Sequence, residues 1–187
     1  MRVAFADLNF SWPPNGGADV DLYHVVCGIQ AHGHDVHLVF AHERHSTDRG
    51  RADPQKLPFP ATRLEFSRRS LTPKRVGRAF RDAVDKLRPD VVFIQHGYAL
   101  KPYVAEALAH HRTVLRYYAH ELACARDPRR FREGVTCPCD YLRAPDACRR
   151  CVLEPGAKAL QRAELTPWVE DYLAGRAYRP AYHAVLL

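Results

Sequence analysis

Val91-Val92-Phe93-Ile94-Gln95 is the stretch that decides the fold, because its apolar, β-branched and aromatic run is typical of a strand covered on both faces. Pro89-Asp90 stands directly before it and ends the preceding helical pattern. His96-Gly97-Tyr98 follows it and predicts a loop at the carboxyl end of the strand. The predicted strand therefore has a clear boundary at each end, and polar residues follow its carboxyl end.

Extended and helical patterns alternate along most of the chain around this strand. Apolar residues recur at helical spacing from Pro73 to Arg88, and Asp19 is a good N-cap for an earlier helix through His32. The predicted strands are 2–6, 34–40, 62–66, 91–95 and 113–118, and further helices are predicted over 102–110 and within 155–187. This alternation predicts an α/β fold, a Rossmann-like doubly wound parallel sheet. Residues 41–60 are polar with Pro and Gly, which predicts a surface excursion.

The chain has the length of one ordinary domain, so residues 1–187 are predicted to form a single Rossmann-like unit. Its 47% hydrophobic and 26% charged residues are typical of a soluble globular protein. No apolar run approaches the roughly 20 residues that span a bilayer, and we expect no secretory signal. These features predict a cytoplasmic protein. The net charge of +7 and pI near 9.3 favour an anionic partner such as phosphate, acidic lipid or nucleic acid.

The strand predicted over 113–118 leads into His120-Glu121, two residues able to exchange protons. In an open α/β sheet, ligands bind outside the carboxyl ends of the strands, where this pair is expected to lie. His96 and Tyr98 follow the neighbouring strand and are candidates for the same pocket. The plainer interpretation is that His120 and Glu121 cap a strand and that His96 and Tyr98 pack within a loop.

The loop after the first strand carries Trp12-Pro13-Pro14-Asn15-Gly16-Gly17 and leads into a helix. Its glycines permit close approach of the backbone to a ligand, and a helix N-terminus favours a phosphate group. The loop lacks the spaced glycines of the dinucleotide-binding fingerprint. Asn15, Gly16 and Gly17 are therefore candidate substrate-binding residues, although a glycine pair is about as often a plain turn.

Five of the six cysteines fall in a loop over 124–151, where the regular alternation ends. In a reducing cytosol such a cluster indicates metal binding before disulfides. Cys148-x2-Cys151 is a standard half-site for tetrahedral zinc thiolate, and Cys137-x-Cys139 is a tighter partner. We predict a structural zinc held by four of Cys124, Cys137, Cys139, Cys148 and Cys151. Free or oxidised thiols, disulfides and an iron–sulfur cluster are the alternatives.

Basic residues are concentrated around the start of the helix predicted from Pro73. A solvated helix face is the plain explanation. The functional alternative is a membrane or anion surface, because an amphipathic basic helix suits anionic lipid or a lipid-phosphate acceptor. The residues concerned are Arg68, Arg69, Lys74, Arg75, Arg78 and Arg81.

Three segments, taken in order, resemble the N-terminal domain of retaining glycosyltransferases of the GT-B fold, family 4. The first is the Pro13–Gly17 loop with its helix, which ends in His32-Gly33-His34-Asp35-Val36. The second runs from Arg88 to His96 and the third from Thr113 to Glu121. The resemblance covers roughly residues 1–124. It implies transfer of a sugar, a hexose by expectation, from a nucleotide-sugar donor to an acceptor hydroxyl with retention.

The resemblance also implies roles for individual residues. Gly16 and Gly17 match the glycine loop that approaches the donor diphosphate and the acceptor, and His120 matches the histidine on the acceptor side of the reaction centre. Glu121 stands where the family more often has Asp, so its catalytic role follows less directly. No protein nucleophile is assigned, because none is firmly established for the family. A similarly placed basic helix in lipid-modifying members supports a lipid acceptor and peripheral contact with the inner membrane face.

The family binds its sugar nucleotide mainly through a C-terminal domain that residues 125–187 do not resemble. The resemblance therefore implies that this chain is the acceptor-binding domain, that the nucleotide-sugar domain is missing from it, and that it is inactive alone.

Two other interpretations fit parts of the sequence. A basic α/β zinc-knuckle module for nucleic acid or another polyanion fits the charge, but the aromatic residues do not interleave with the basic run. A flavodoxin-like or receiver-like domain fits the order of strands. Against it, Asp7-Leu8-Asn9-Phe10 is neither an acidic cluster nor a hydroxyl-rich phosphate loop.

Overall fold

The computed structural model describes residues 1–44, 50–67, 69–97, 100–118, 131–132, 135–139, 143 and 147–148. Five strands form its central sheet: β1 (Arg2–Asp7), β2 (Asp35–Glu43), β3 (Ala61–Phe66), β4 (Val91–Ile94) and β5 (Thr113–Leu115). All neighbours pair in parallel, in the order β3-β2-β1-β4-β5. The helices are α1 (Gly17–Ala31), α2 (Pro73–Leu87) and α3 (Lys101–Ala107), with a 3-10 turn at Pro54–Lys56. The predicted α/β fold is confirmed, and the strand order is compatible with a Rossmann-like sheet.

Alternate side chains of the central strand β1 enter two separate cores, because successive residues of a strand point to opposite faces. Phe5 shares one core with Leu22 of α1. Ala6 shares the other core with Phe80 of α2 and Val104 of α3. All of these side chains are buried. The sheet is therefore covered on both sides, which explains the continuous apolar run of its central strands.

The observed elements differ from the predicted ones mainly at their ends. β2 continues to Glu43 instead of Phe40, because β3 pairs with its last residues, and it enters the segment predicted as a surface excursion. Within that segment Phe59 is buried against the core that contains α1. α3 ends at Ala107 instead of residue 110, and β5 ends at Leu115 instead of residue 118.

Asp19 is not the N-cap of α1, contrary to the prediction. The helix begins at Gly17, with Gly16 in the N-cap position and no side-chain cap. The buried Asp19 carboxylate instead accepts hydrogen bonds from the backbone N–H groups of Ser11 at 3.1 Å and Asn15 at 2.8 Å. It therefore satisfies amide groups of the preceding loop, which need an acceptor once they are removed from water.

Beyond β5, the structure describes a short antiparallel pair, β6 (Phe131–Arg132) with β7 (Val135–Thr136). The pair lies inside the segment that was predicted as a cysteine-rich loop. The helices predicted within 155–187 lie outside the described residues. Within the described ranges, no helix has both the length and the apolar character needed to cross a bilayer.

Candidate functional site

The carboxyl ends of β1 and β4 lie side by side where the order of the sheet reverses. The chain passes from β1 to β2 and β3 on one side, and then returns to the other side of β1 to form β4 and β5. In open α/β sheets a crevice forms at such a switch point, and ligands bind there. The candidate site therefore consists of the residues that follow β1 and β4.

Asp7, the last residue of β1, ties these two strand ends together. Its Oδ1 accepts the backbone N–H of Asn9 at 2.7 Å, and its Oδ2 accepts the backbone N–H of His96 at 3.0 Å. The N–H of Leu8 donates to the carbonyl of His96 at 2.9 Å. Burial raises the pKa of the Asp7 carboxyl above its ordinary value, and this effect outweighs the opposing influence of His96 and of the two N–H groups.

Polar side chains from several elements converge beside this junction. Nδ2 of Asn9 lies 3.1 Å from Nδ1 of His96. The Tyr118 hydroxyl lies 2.9 Å from Asp21 Oδ2 and 2.9 Å from Gln95 Oε1. A hydroxyl has one proton, so Tyr118 donates to only one of these two oxygens at a time, unless the Gln95 amide is turned to present its NH2 group. In either orientation one polar atom of the Gln95 amide is left over.

Two amide side chains at this junction each carry a buried atom without a hydrogen-bond partner among the described residues. Among the residues that the structure describes, neither Asn9 Oδ1 nor Gln95 Nε2 has a hydrogen-bond partner, and Gln95 is fully buried. Each unpaired buried polar group costs about 1–3 kcal/mol. Hydroxyl groups both donate and accept hydrogen bonds, so a ligand hydroxyl that entered this junction could pair with either amide. This pair is the strongest chemical feature of the sheet edge.

Asp21 and Arg116 connect α1 with the segment after β5 and so close one side of the site. Arg116 Nη2 donates to Asp21 Oδ1 at 2.8 Å, and the Arg116 guanidinium lies 5.5 Å from the centre of the Tyr118 ring. Burial, together with the bond to Asp21, raises the pKa of the Tyr118 phenol far above its ordinary value, so the phenol stays neutral. The Tyr118 ring in turn lies edge-on to the His96 ring, with 6.0 Å between their centres.

The loop before α1 is anchored, and open space surrounds its glycine pair. The Trp12 ring stacks on Tyr23 of α1 with 3.9 Å between ring centres. Arg51 Nη2 donates to Asn15 Oδ1 at 2.6 Å. A Cβ atom added at Gly16 or Gly17 would meet nothing within 4 Å. Gly16 has an extended backbone with φ of −170°, which any residue adopts, so neither the backbone nor a contact within the described residues requires glycine at this position.

The structure thus brings His96 together with residues that the sequence did not single out: Asp7, Asn9 and Gln95. The sequence signals were that Asp7 ends one apolar strand and that Gln95 ends another. Nothing in the sequence connected Asp21 or Arg116 with the site. The predicted residues Tyr98, His120 and Glu121 lie outside the described residues, so their roles stay predictions.

Lys101, at the start of α3, is a further residue that sequence reasoning missed. Its side chain is fully buried, and its ammonium group donates to the backbone carbonyl of Arg116. The same group lies 4.4 Å from the centre of the Tyr117 ring. Lys101 therefore holds the segment after β5 in place, and that segment carries Arg116 of the candidate site.

The basic run predicted as an anion surface is exposed where the structure describes it. Arg69, Lys74, Arg75 and Arg78 are exposed, whereas Arg68 lies outside the described residues. Lys74, Arg78 and Arg81 line an open cleft of about 500 Å³ between α2 and α3, together with Tyr103 and Glu106 of α3. The helices approach closely at Gly77, where a Cβ would lie 3.1 Å from the carbonyl oxygen of Tyr103.

The predicted zinc ligands are described only in part. Cys137, Cys139 and Cys148 are half-buried, and Cys124 and Cys151 lie outside the described residues. Within the described ranges, these cysteines belong to no group of three metal-binding side chains, so the zinc site stays a prediction. The group that does occur there consists of Asp85, His110 and His111.

Comparisons with protein-family models, with curated proteins and with solved structures find no match to this chain.

Proposed function

We propose that this chain is the acceptor-side domain of a retaining glycosyltransferase, which moves a sugar from a nucleotide sugar to an acceptor hydroxyl. The observation that carries the proposal is the polar junction of β1 and β4, where one buried amide atom each of Asn9 and Gln95 lacks a hydrogen-bond partner among the described residues. Hydroxyl groups of a sugar or glycolipid acceptor would supply those partners. The order of the segments that resemble the N-terminal half of a GT-B enzyme supports the same assignment.

The proposed division of labour follows from what glycosyl transfer requires. An acceptor hydroxyl must be held against an oxocarbenium-like centre, and a departing diphosphate must be stabilised. In this proposal Asn9, Gln95 and His96 orient the acceptor, while His120 and Glu121 act at the reacting hydroxyl. Backbone N–H groups near Gly16-Gly17 approach the diphosphate. As the family resemblance implies, a separate nucleotide-sugar domain binds the donor in this proposal.

Saturation-transfer NMR with a panel of hexoses and their methyl glycosides tests the proposal. We expect at least one of these sugars to bind, and we expect Gln95→Leu to weaken its binding at least about tenfold, as for a lost buried polar contact. Gln95→Leu should fold, because it removes a buried amide that is incompletely paired. Gln55→Leu is the matched control, since it makes the same chemical change at an exposed position.

Two results would count against a sugar-acceptor site at this edge. One is the absence of binding across the whole panel. The other is binding that Gln95→Leu and Gln55→Leu leave equally unchanged.

We also propose that the basic cleft between α2 and α3 binds the phosphate of an anionic lipid acceptor and brings the protein to the inner face of a membrane. Lys74, Arg78 and Arg81 line this cleft, and their charges are exposed. Exposed basic side chains attract anionic lipid headgroups, by about 1 kcal/mol per residue near the surface. Three such residues on one helix face suit that role.

Vesicle flotation with and without an anionic phospholipid tests this second proposal. We expect Lys74→Glu/Arg78→Glu to abolish binding to anionic vesicles. Arg75→Glu/Lys86→Glu makes the same charge change at exposed positions of α2 outside the cleft, and we expect it to weaken binding less. Binding to single-stranded nucleic acid with a steep salt dependence, and none to vesicles, would instead favour a polyanion-binding module.

A further inference from the structure

Two adjacent histidines approach one carboxylate at the edge of the sheet opposite to the candidate site. Asp85 lies in the last turn of α2, and His110 and His111 lie between α3 and the start of β5. His111 Nε2 is 2.7 Å and His110 Nε2 is 2.9 Å from the same oxygen, Asp85 Oδ1. The two imidazole rings have their centres 4.1 Å apart. Three potential metal ligands therefore converge on one point.

The position of Asp85 is not one that α2 by itself would favour. A carboxylate near the C-terminus of a helix faces the negative end of the helix dipole, which is an unfavourable position. Asp85 is held there by side chains from a different connection, 25 and 26 residues further along the chain. Partial burial acts to raise the pKa of Asp85, but hydrogen bonds from His111 and His110 outweigh it and hold the pKa below its ordinary value.

We propose that Asp85, His110 and His111 form a binding site for a divalent transition-metal ion of the zinc type. Their ligand atoms all lie within 4.8 Å of one another. Two imidazole nitrogens and a carboxylate oxygen form a donor set that zinc accepts. Donor atoms around a tetrahedral zinc stand roughly 3.3 Å apart, given bond lengths near 2.0–2.1 Å. The Asp85 oxygen, now 2.7 and 2.9 Å from the two imidazole nitrogens, therefore needs to move only slightly away from each of them. Each histidine then keeps its proton on Nδ1, and both Nε2 lone pairs face the ion.

The surroundings suit an ion that also keeps water ligands. The side chains of Asp85 and His110 are 45% and 51% exposed, whereas that of His111 is only 16% exposed. His111 is therefore the inner ligand, and the outer side of the site is open for water in the remaining position. The ion links the end of α2 to the entry of β5. Because the ligands meet only in the folded chain, metal binding stabilises the fold.

The proposed site shares no ligand with the cysteine cluster. Because the cysteines are also predicted to bind zinc, the test must report on each histidine separately. The full chain is treated with diethyl pyrocarbonate, which modifies unprotonated imidazole nitrogens, in the presence and absence of Zn²⁺. Mass spectrometry of the peptides reports each histidine separately. The exposed His32 serves as the internal reference, because it lies outside the group.

We expect Zn²⁺ at about ten times its Kd to slow the modification of His110 and His111 roughly tenfold, since only unoccupied sites react. The rate at His32 should not change. Asp85→Asn, which keeps the shape but removes the anionic ligand, should abolish most of the protection. Asp82→Asn is the matched control, because it removes a carboxylate from the same helix outside the group.

Equal modification rates with and without Zn²⁺ in the unsubstituted chain would overturn the proposal, and this result requires no variant to fold. Protection that is as strong in Asp85→Asn as in Asp82→Asn would overturn it too, because the carboxylate would then not be a ligand.

Discussion

The Asp7 carboxylate accepts the backbone N–H of His96 at 3.0 Å, and this bond joins the ends of two strands that are 89 residues apart in the sequence. The same carboxylate holds the N–H of Asn9 at 2.7 Å. The Asp7 side chain therefore fixes the backbone of both loops that border the candidate site. Both carboxylate oxygens of Asp7 are already engaged by these N–H groups, so Asp7 positions the loops that border the candidate site.

Asp7→Ala is expected to lower the free energy of unfolding by about 2 kcal/mol, because it leaves two backbone N–H groups near the junction without their acceptor. Urea unfolding at neutral pH measures the loss. The control Asp82→Ala removes an exposed carboxylate from α2 and should change the free energy by less than about 0.5 kcal/mol. Equal values for the two variants would mean that the bonds of Asp7 contribute little.

Asp7 also predicts a pH dependence of stability. Its pKa in the folded protein is raised above the ordinary value of 3.8, so the folded state holds this proton more tightly than the unfolded state does. The stabilisation that comes from this more tightly held proton is fully present below pH 3.8 and is lost as the pH rises through the raised pKa. Asp7→Asn cannot ionise, so its stability relative to the unsubstituted chain should increase with pH across that window. Urea unfolding over a pH series measures this difference, and a difference that stays flat would contradict the raised pKa.

Gly97 should be intolerant of any side chain. A Cβ atom there would lie 2.1 Å from Cδ1 of Leu8 and 3.1 Å from its Cβ, and Leu8 is buried in the core that contains α2. We expect Gly97→Ala to lower the free energy of unfolding by about 1–3 kcal/mol through overpacking. Gly16→Ala is the control, because a Cβ there meets nothing within 4 Å.

The cause of the Gly97→Ala loss can be checked with Leu8→Ala. Removing the obstructing side chain should make the double variant less destabilised than the sum of the two single variants. Strict additivity in thermal or urea unfolding would show that the steric contact with Leu8 is not the cause.

The stack of Trp12 on Tyr23 is expected to anchor the loop before α1. The rings are 3.9 Å apart between centres and nearly parallel, with 5° between their planes. A double-mutant cycle with Trp12→Ala and Tyr23→Ala should give a coupling energy of about 0.5–1.5 kcal/mol. Trp12→Phe should retain part of that coupling because it keeps an aromatic face. A coupling energy indistinguishable from zero would mean that the two rings are neighbours without stabilising the loop.

The site was only partly predictable because its members come from four separate parts of the chain. The position of His96 at this sheet edge could be predicted, since loops after strands of an α/β sheet are where ligands bind. The role of the Asn15-Gly16-Gly17 loop stays a prediction. The role predicted for Asp19 was wrong, because its carboxylate accepts hydrogen bonds from the backbone N–H groups of Ser11 and Asn15 and does not cap the helix. The pairing of Asp21 with Arg116 crosses 95 residues and leaves no local trace.

The sequence by itself determined the alternation of strands and helices and the parallel sheet, because apolar periodicity and the breaks at Pro and Gly record the burial of each residue locally. Only the tertiary structure decided which polar groups meet. The order β3-β2-β1-β4-β5 places Asp7 next to His96, and the connection from α3 to β5 places His110 and His111 against Asp85. Such contacts depend on how distant segments pair and pack, and a local pattern carries no information about that pairing.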